Sequence, residues 1–361
     1  MRSEAKENRV FGLDLFRAFA IICVMLVHGG FLIEQALPGF PYFSVPDGVE
    51  LFFVLSGFLI GGILIRLIEK NELGTMDDLF KFWKRRWFRT LPAYYLVLLL
   101  NVLFAWMGWN NSKLESFDWK FLLFVHNFMT PFTDFFWESW SLSIEEWFYI
   151  VTPVLFLAAT KSYTGNRKWI VLASILALLI IPLTYRLSIS NQQLDPFWFD
   201  VTFRKTVVAR LDAIMYGVLF AWLMHYYRHK IIKSKWLLAS LGFVVFWASK
   251  EYIKSDPTGF HAMTWHFSTT GLGAAMLLPL FADWKSCSNP FGKAITHISL
   301  VSYSMYLINL GLVAQVLAHL SPPQNELQSI VSYLGFWFIV IVGATLLYRF
   351  FEKPITDLRD R

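Results

Sequence analysis

Two residues near the start of the chain could do chemistry together. Arg17 and His28 stand eleven residues apart in an apolar run. In a helix that is about three turns, so both side chains face the same way, about 16 Å apart along the axis. Asp14 lies three residues before Arg17, close enough to pair with it on that face. Ionisable groups inside a membrane span are costly and mark either function or a packing pair. A neutral imidazole titrates near pH 6.5, which suits a general base. The plainer alternatives are an interfacial histidine bonded to a carbonyl and a structural Asp14–Arg17 ion pair.

Two further clusters fit the same chemistry. Arg86 and Arg89, in the run Lys84-Arg85-Arg86-Trp87-Phe88-Arg89, have helical i, i+3 spacing just before an expected span. Two guanidinium groups there suit a phosphorylated ligand, because each can bind phosphate oxygens bidentately. Topology-setting charge and contact with anionic lipid explain them equally simply. Glu145 lies one turn after Ser141 in Trp137-Glu138-Ser139-Trp140-Ser141-Leu142-Ser143-Ile144-Glu145-Glu146. A carboxylate here could orient an imidazole as the third member of a triad does. Helix capping by Ser139, Ser141 or Ser143 is the alternative.

What must hold these groups is a membrane. The chain is 56% hydrophobic and 16% charged, against about 25% charged in soluble domains. Ten apolar segments are long enough to span, near 10–32, 47–68, 90–108, 138–160, 169–189, 208–227, 236–253, 262–283, 294–319 and 328–350. The expected fold is therefore all-α, a polytopic integral membrane bundle of about ten transmembrane helices forming a single domain over 1–361. The stretch 119–136, short and broken by Pro131, is expected to be interfacial or re-entrant. With both termini in the cytoplasm, 23 of the 32 basic residues fall on the inner side. This distribution makes the net charge of +6 a topology signal, and no nucleic-acid partner is expected. The basic N-terminus before an apolar run looks like a signal peptide, but Asp14 and Arg17 interrupt it and no small-residue cleavage site follows, so a retained first helix is expected. Cys23 and Cys287 have neither disulfide nor metal-ligand spacing, and no metal site is expected.

Taken together, the motifs resemble the acyltransferase-3 family of membrane proteins. The resemblance rests on Leu13-Asp14-Leu15-Phe16-Arg17-Ala18-Phe19-Ala20 closed by His28, and on Gly48-Val49-Glu50-Leu51-Phe52-Phe53-Val54-Leu55-Ser56-Gly57-Phe58-Leu59-Ile60. Arg86-x-x-Arg89 with Pro92, Ser141 to Glu145 with Phe148-Tyr149, Arg210-Leu211-Asp212 with Gly217, Ser302-Tyr303-Ser304-Met305-Tyr306-Leu307, and Glu352-Lys353-Pro354 follow in order. Asn309 departs from the pattern, since many members carry His there. The resemblance implies transfer of an acyl group, most often acetyl, from acetyl-CoA or another acyl-CoA in the cytoplasm to a hydroxyl of a glycan or lipid-linked saccharide at the outer face of a bacterial inner membrane. No permanently bound cofactor is implied. It casts His28 as general base, Glu145 as its orienting group, Arg17 with Asp14 beside the donor or the developing oxyanion, and Arg86 and Arg89 on the phosphates of coenzyme A. Ser141, Tyr303 and Asn309 would touch substrate. A fused hydrolase-like domain, found in some relatives, is not expected, so the acceptor would meet the helices themselves or a separate partner. A transporter or flippase would explain the buried charges without chemistry, and a non-catalytic assembly or sensor protein would explain the spans alone.

Overall fold

The computed structural model describes residues 9–39, 45–163 and 165–359, and among these there are helices, turns and loops but no strand. Ten long helices fall where the apolar segments lie: α1 Phe11–His28, α2 Gly48–Glu69, α3 Met76–Trp106, α4 Ser139–Ser162, α5 Arg167–Ile189, α6 Val207–Tyr226, α7 Lys235–Ser255, α8 Trp265–Asp283, α9 from Pro290 and α10 from Glu326. Eight are long and apolar enough to cross a membrane. The two that fall short of that measure are α7 and α8. The first carries Ser249, Lys250, Glu251 and Lys254, and the second carries His266, Ser268, Thr269 and Thr270. Their polar residues gather on one side of the bundle and return below as part of a cavity.

Local sequence explains how the helices start. Asp47 accepts from the Val49 and Glu50 amides and caps α2. Thr75 and Asp78 form a reciprocal capping box that starts α3 fourteen residues before the predicted 90–108 span. Arg86 and Arg89 consequently lie inside a helix and not in the loop ahead of it. None of Ser139, Ser141 and Ser143 caps α4, because each side chain is engaged elsewhere. Pairs of glycines let helices touch backbone to backbone. A Cβ on Gly57 would lie 1.9 Å from the Ile214 carbonyl oxygen, and one on Gly217 would lie 2.0 Å from that of Val54. Such small-residue contacts are the usual means of close helix approach where lipid supplies no hydrophobic drive. They draw α2 and α6 together.

Two buried ion pairs fix the same region. Arg186 of α5 is fully buried and meets Asp212 of α6 bidentately at 2.7 and 3.1 Å, with Ser268 of α8 on the same carboxylate. Arg210 pairs with Glu50 of α2, its guanidinium 4.1 Å above the Phe267 ring. The segment 119–136 is an irregular strap packed into the protein. Phe121, Phe132, Phe135 and Phe136 are buried, and Asn127 donates to the Trp140 and Lys205 carbonyls. His126 stacks on Phe121 and faces Ser139 and Ser143; burial pushes its imidazole down to about 3, so it is neutral.

Removing one partner of a buried ion pair costs about 3–5 kcal/mol, because a charge is stranded, whereas removing both costs far less. Asp212→Leu should therefore lower the thermal unfolding temperature of the detergent-solubilised protein sharply, and Arg186→Met/Asp212→Leu should recover much of the loss.

Candidate active site

His28 ends α1 and its side chain is fixed by a break in α9. From Asn309 to Ala314 that helix takes a π turn, which offsets the backbone hydrogen-bond ladder. The Leu310 and Gly311 amides donate to Oε1 of buried Glu138, at 3.1 and 2.9 Å. The Tyr306 carbonyl, to which Leu310 would donate in a regular helix, takes the Asn309 side-chain amide at 2.7 Å instead, and the Met305 carbonyl takes it at 3.0 Å. Both of these partners are acceptors, so the Asn309 nitrogen must face them. Its Oδ1 then faces His28 Nδ1, 2.6 Å away. Since Oδ1 can only accept, Nδ1 carries a proton, and in the neutral ring Nε2 keeps its lone pair. Asn309, expected to touch substrate, sets the tautomer of the histidine.

The predicted partners of the other charges are rearranged. Asp14 does not pair with Arg17. It binds Arg9, at 2.5 and 3.0 Å, and the Ser299 hydroxyl at 2.7 Å, tying α1 to α9. Arg9 lies before the helix begins and reaches back over its first turn. Arg17 has no ion pair among the described residues and lines the cavities instead. Glu145 does not meet His28 either: it accepts from the Ser56 and Tyr149 hydroxyls. The helix rotation that gives Glu145 to α2 gives Glu146 to α3, where Thr90 donates to it at 2.8 Å. Ser141 bonds Tyr306 at 2.6 Å, and Tyr303 donates to the Thr90 carbonyl at 2.8 Å.

Four cavities string these residues together. The largest, 560 Å³, is lined by Arg9, Asp14, Arg17, Arg89, Lys353 and Arg359, at the end of the bundle where α1 begins. A cavity of 90 Å³ follows, with Arg17, Arg86, Arg89, Glu145 and Tyr303 in its wall. The next, also 90 Å³, shares Arg17, Arg89, Glu145 and Tyr303 and adds Ser141 and Tyr306. Its wall includes Val49, which also lines the fourth, a cavity of 270 Å³ that contains His28. The structure thus gathers Arg17, Arg86, Arg89, Glu145, Ser141 and Tyr303 into one tract and sets His28, held by Asn309, at a separate cavity across Val49. Among the described residues no group of three or more His, Cys, Asp or Glu side chains could hold a metal ion.

Comparison with known proteins gives the family. The acyltransferase domain model matches residues 10–349. The chain belongs to that family. It is 34% identical to the peptidoglycan O-acetyltransferase OatA of Listeria monocytogenes over 172 residues, 43% of this chain and 25% of that one. It is 28% identical to a putative O-acetyltransferase of Staphylococcus aureus over 386 residues, covering 97% of this chain and 58% of the other. It is 25% identical to the O-acetyltransferase OatA of the same species over 379 residues, or 95% and 57%. The chain therefore spans between a quarter and somewhat over half the length of these relatives. No solved structure matches it.

Two groups in this acyltransferase fold were missed in the sequence. Glu138 had a signal, a carboxylate just ahead of the serine–glutamate run, but nothing there announces a π turn 170 residues later. Ser56 lay in plain view within the α2 motif. If Asn309 sets the tautomer, Asn309→Leu should lose acetyl transfer about a hundredfold or more, the order of a general-base contribution. Asn309→His, whose ring can still accept from Nδ1–H, should retain most of it. Both are read as labelled acetyl transfer in vesicles containing equal amounts of inserted protein.

Proposed function

We propose that this protein transfers an acyl group, acetyl in the simplest case, from acyl-CoA to a hydroxyl of a cell-envelope glycan or lipid-linked saccharide. The observation that carries the reading is the pairing of Asn309 with His28, which leaves Nε2 as a free base at a cavity that has the wall residue Val49 in common with the arginine tract. The names of the matched relatives, a peptidoglycan O-acetyltransferase and an O-acetyltransferase, support the reaction class.

In this reading the donor enters at the Arg89 end. Arg86 and Arg89 hold its phosphates, and Arg17 steadies the thioester carbonyl as charge develops on its oxygen. That end faces the cytoplasm, in accord with the distribution of basic residues. The acceptor hydroxyl sits at His28 Nε2, which takes its proton as the oxygen attacks the thioester carbon. The carbon–sulfur bond breaks, and the proton on His28 passes to the departing thiolate. Asn309 accepts from Nδ1–H throughout and stabilises the imidazolium while it lasts. Glu145, in the wall of the donor tract and held by Ser56 and Tyr149, shapes that tract. The protein works as an integral membrane enzyme in contact with lipid, with both termini on the donor side.

The test compares envelope glycans by mass from a strain lacking the protein and from strains complemented with wild type or His28→Gln. Wild type should restore the acylated species, and His28→Gln, which keeps hydrogen bonding but has no basicity, should not. In purified protein, Arg86→Ala and Arg89→Ala should weaken acetyl-CoA binding about tenfold each, with Lys at either position restoring only part because an ammonium cannot chelate bidentately. Acylated glycan in the His28→Gln strain would overturn the mechanism.

A further inference from the structure

The cavity at His28 is unusual in what else lines it. Across 270 Å³ it places Arg204, Lys250, Asp47 and His266 around the same space as His28. That is near the lower end of small-molecule pockets, about 300 Å³, and suits one sugar-sized group. Two of the lining groups are cations and one is a carboxylate, so with neutral histidines the wall carries one net positive charge.

The single carboxylate is fully committed. Asp47 Oδ1 accepts from the Val49 amide at 2.9 Å and lies 3.4 Å from that of Glu50. Its Oδ2 holds Arg204 at 2.8 Å. Arg204 uses its other terminal nitrogen on Asp200 at 3.3 Å, and its guanidinium lies 5.1 Å from the Trp140 ring. Asp200 also takes Lys205 at 2.5 Å, and the Arg204 and Lys205 charges hold its carboxyl below the usual range against the effect of burial. This cluster is balanced internally.

Lys250 is not. Its ammonium donates to the Val45 carbonyl at 2.6 Å, and among the described residues it has no carboxylate within ion-pair distance. The neighbouring Glu251 is taken by Lys254 at 2.7 Å. Residues 40–44 contain neither Asp nor Glu. An ammonium has three donors; one is on the Val45 carbonyl and the Trp247 ring centre lies 5.2 Å from the nitrogen, which leaves donor capacity for a ligand. His266, one turn of α8 ahead of Thr270, bonds Ser249 Oγ through Nδ1 at 2.9 Å, and its Nε2 has no partner among the described residues. A partly buried cation is kept charged by a partner of opposite sign, and the one carboxylate of this wall, Asp47, is taken by Arg204.

We propose that the cavity at His28 recognises an acceptor carrying an anionic group, a carboxylate or a phosphate, which Lys250 binds while the hydroxyl to be acylated lies at His28. The proposal rests on the acyl-transfer reading for the role of His28, but anion binding at Lys250 stands independently of turnover. The same ammonium chemistry serves a uronic-type carboxylate on the sugar itself and the phosphate of a glycosyl phosphate, and the two differ in where the anion lies relative to the ring.

The experiment uses the full chain purified in detergent, with methyl glucuronide, glucose 1-phosphate and uncharged methyl glucoside as probes. Binding is read by the shift in thermal unfolding and transfer by labelled acetyl-CoA, for wild type, Lys250→Met and Lys250→Arg. At least one anionic probe should bind about tenfold or more tightly than methyl glucoside, as a charge-assisted hydrogen bond would give. That ratio should collapse toward one in Lys250→Met and survive in Lys250→Arg. Preference for the glucuronide alone assigns the anion to the sugar, and preference for the phosphate alone assigns it to a glycosyl phosphate. Equal binding of all three by wild type, no binding of any, or a ratio unmoved by Lys250→Met, overturns the proposal. Anion-selective binding that depends on Lys250 but is accompanied by no acetyl transfer would uphold the anion site and count against the acyl-transfer reading.

Discussion

A histidine serves as a base only when one ring nitrogen keeps its lone pair and the other is held. In this protein that condition depends on a single hydrogen bond, from His28 Nδ1 to Asn309 Oδ1. Much of the surrounding architecture follows from it. Asn309 presents oxygen and not nitrogen to the imidazole because its amide is engaged by two carbonyls of its own helix. The Tyr306 carbonyl is available because the helix takes a π turn, and the turn is tolerated because Glu138 takes the displaced amides. In a bundle facing lipid, freed backbone groups must find protein partners. The defect in α9 and the buried carboxylate of Glu138 are therefore two halves of one device.

The same requirement sorts the buried charges. Arg186 with Asp212 and Arg210 with Glu50 are closed pairs, and they lock α2, α5, α6 and α8 around the outer wall of the His28 cavity. Arg9 with Asp14 is closed as well and stitches α1 to α9. Arg17 and Lys250 have no ion-pair partner among the described residues, and both line cavities, at opposite ends of the tract. Structural charges come with partners; charges that line empty space without one are suited to ligands.

Most of the fold was legible in the sequence because hydropathy and length read directly as helices. The residues of the candidate site at both ends were singled out by spacing: His28 and Arg17 by eleven residues, Arg86 and Arg89 by three. What spacing could not convey is which neighbour each helix face meets. Glu145 is one turn from Ser141, and its carboxylate turns to Ser56 of α2 rather than to His28 of α1. Asp14 and Arg17 had the right separation to pair, but Arg9, outside the helix and free to fold back, reaches Asp14 first. Arg186 lies near the end of an apolar run, where a lone arginine reads as an interfacial residue, and only its contact with Asp212 shows it to be buried. Asn309 stood out as a departure from the family pattern. Its role emerged only from the π turn, which leaves no mark in helical periodicity.

The central claim, that Asn309 holds His28 with the proton on Nδ1, can be measured without any substrate. Nitrogen-15 NMR of protein labelled at histidine, in lipid bilayers near neutral pH, separates protonated from unprotonated ring nitrogens. The His28 signals are identified as those absent from His28→Gln. The account predicts that they report a protonated Nδ1 and a lone pair on Nε2. A proton on Nε2, with Nδ1 unprotonated, would contradict it.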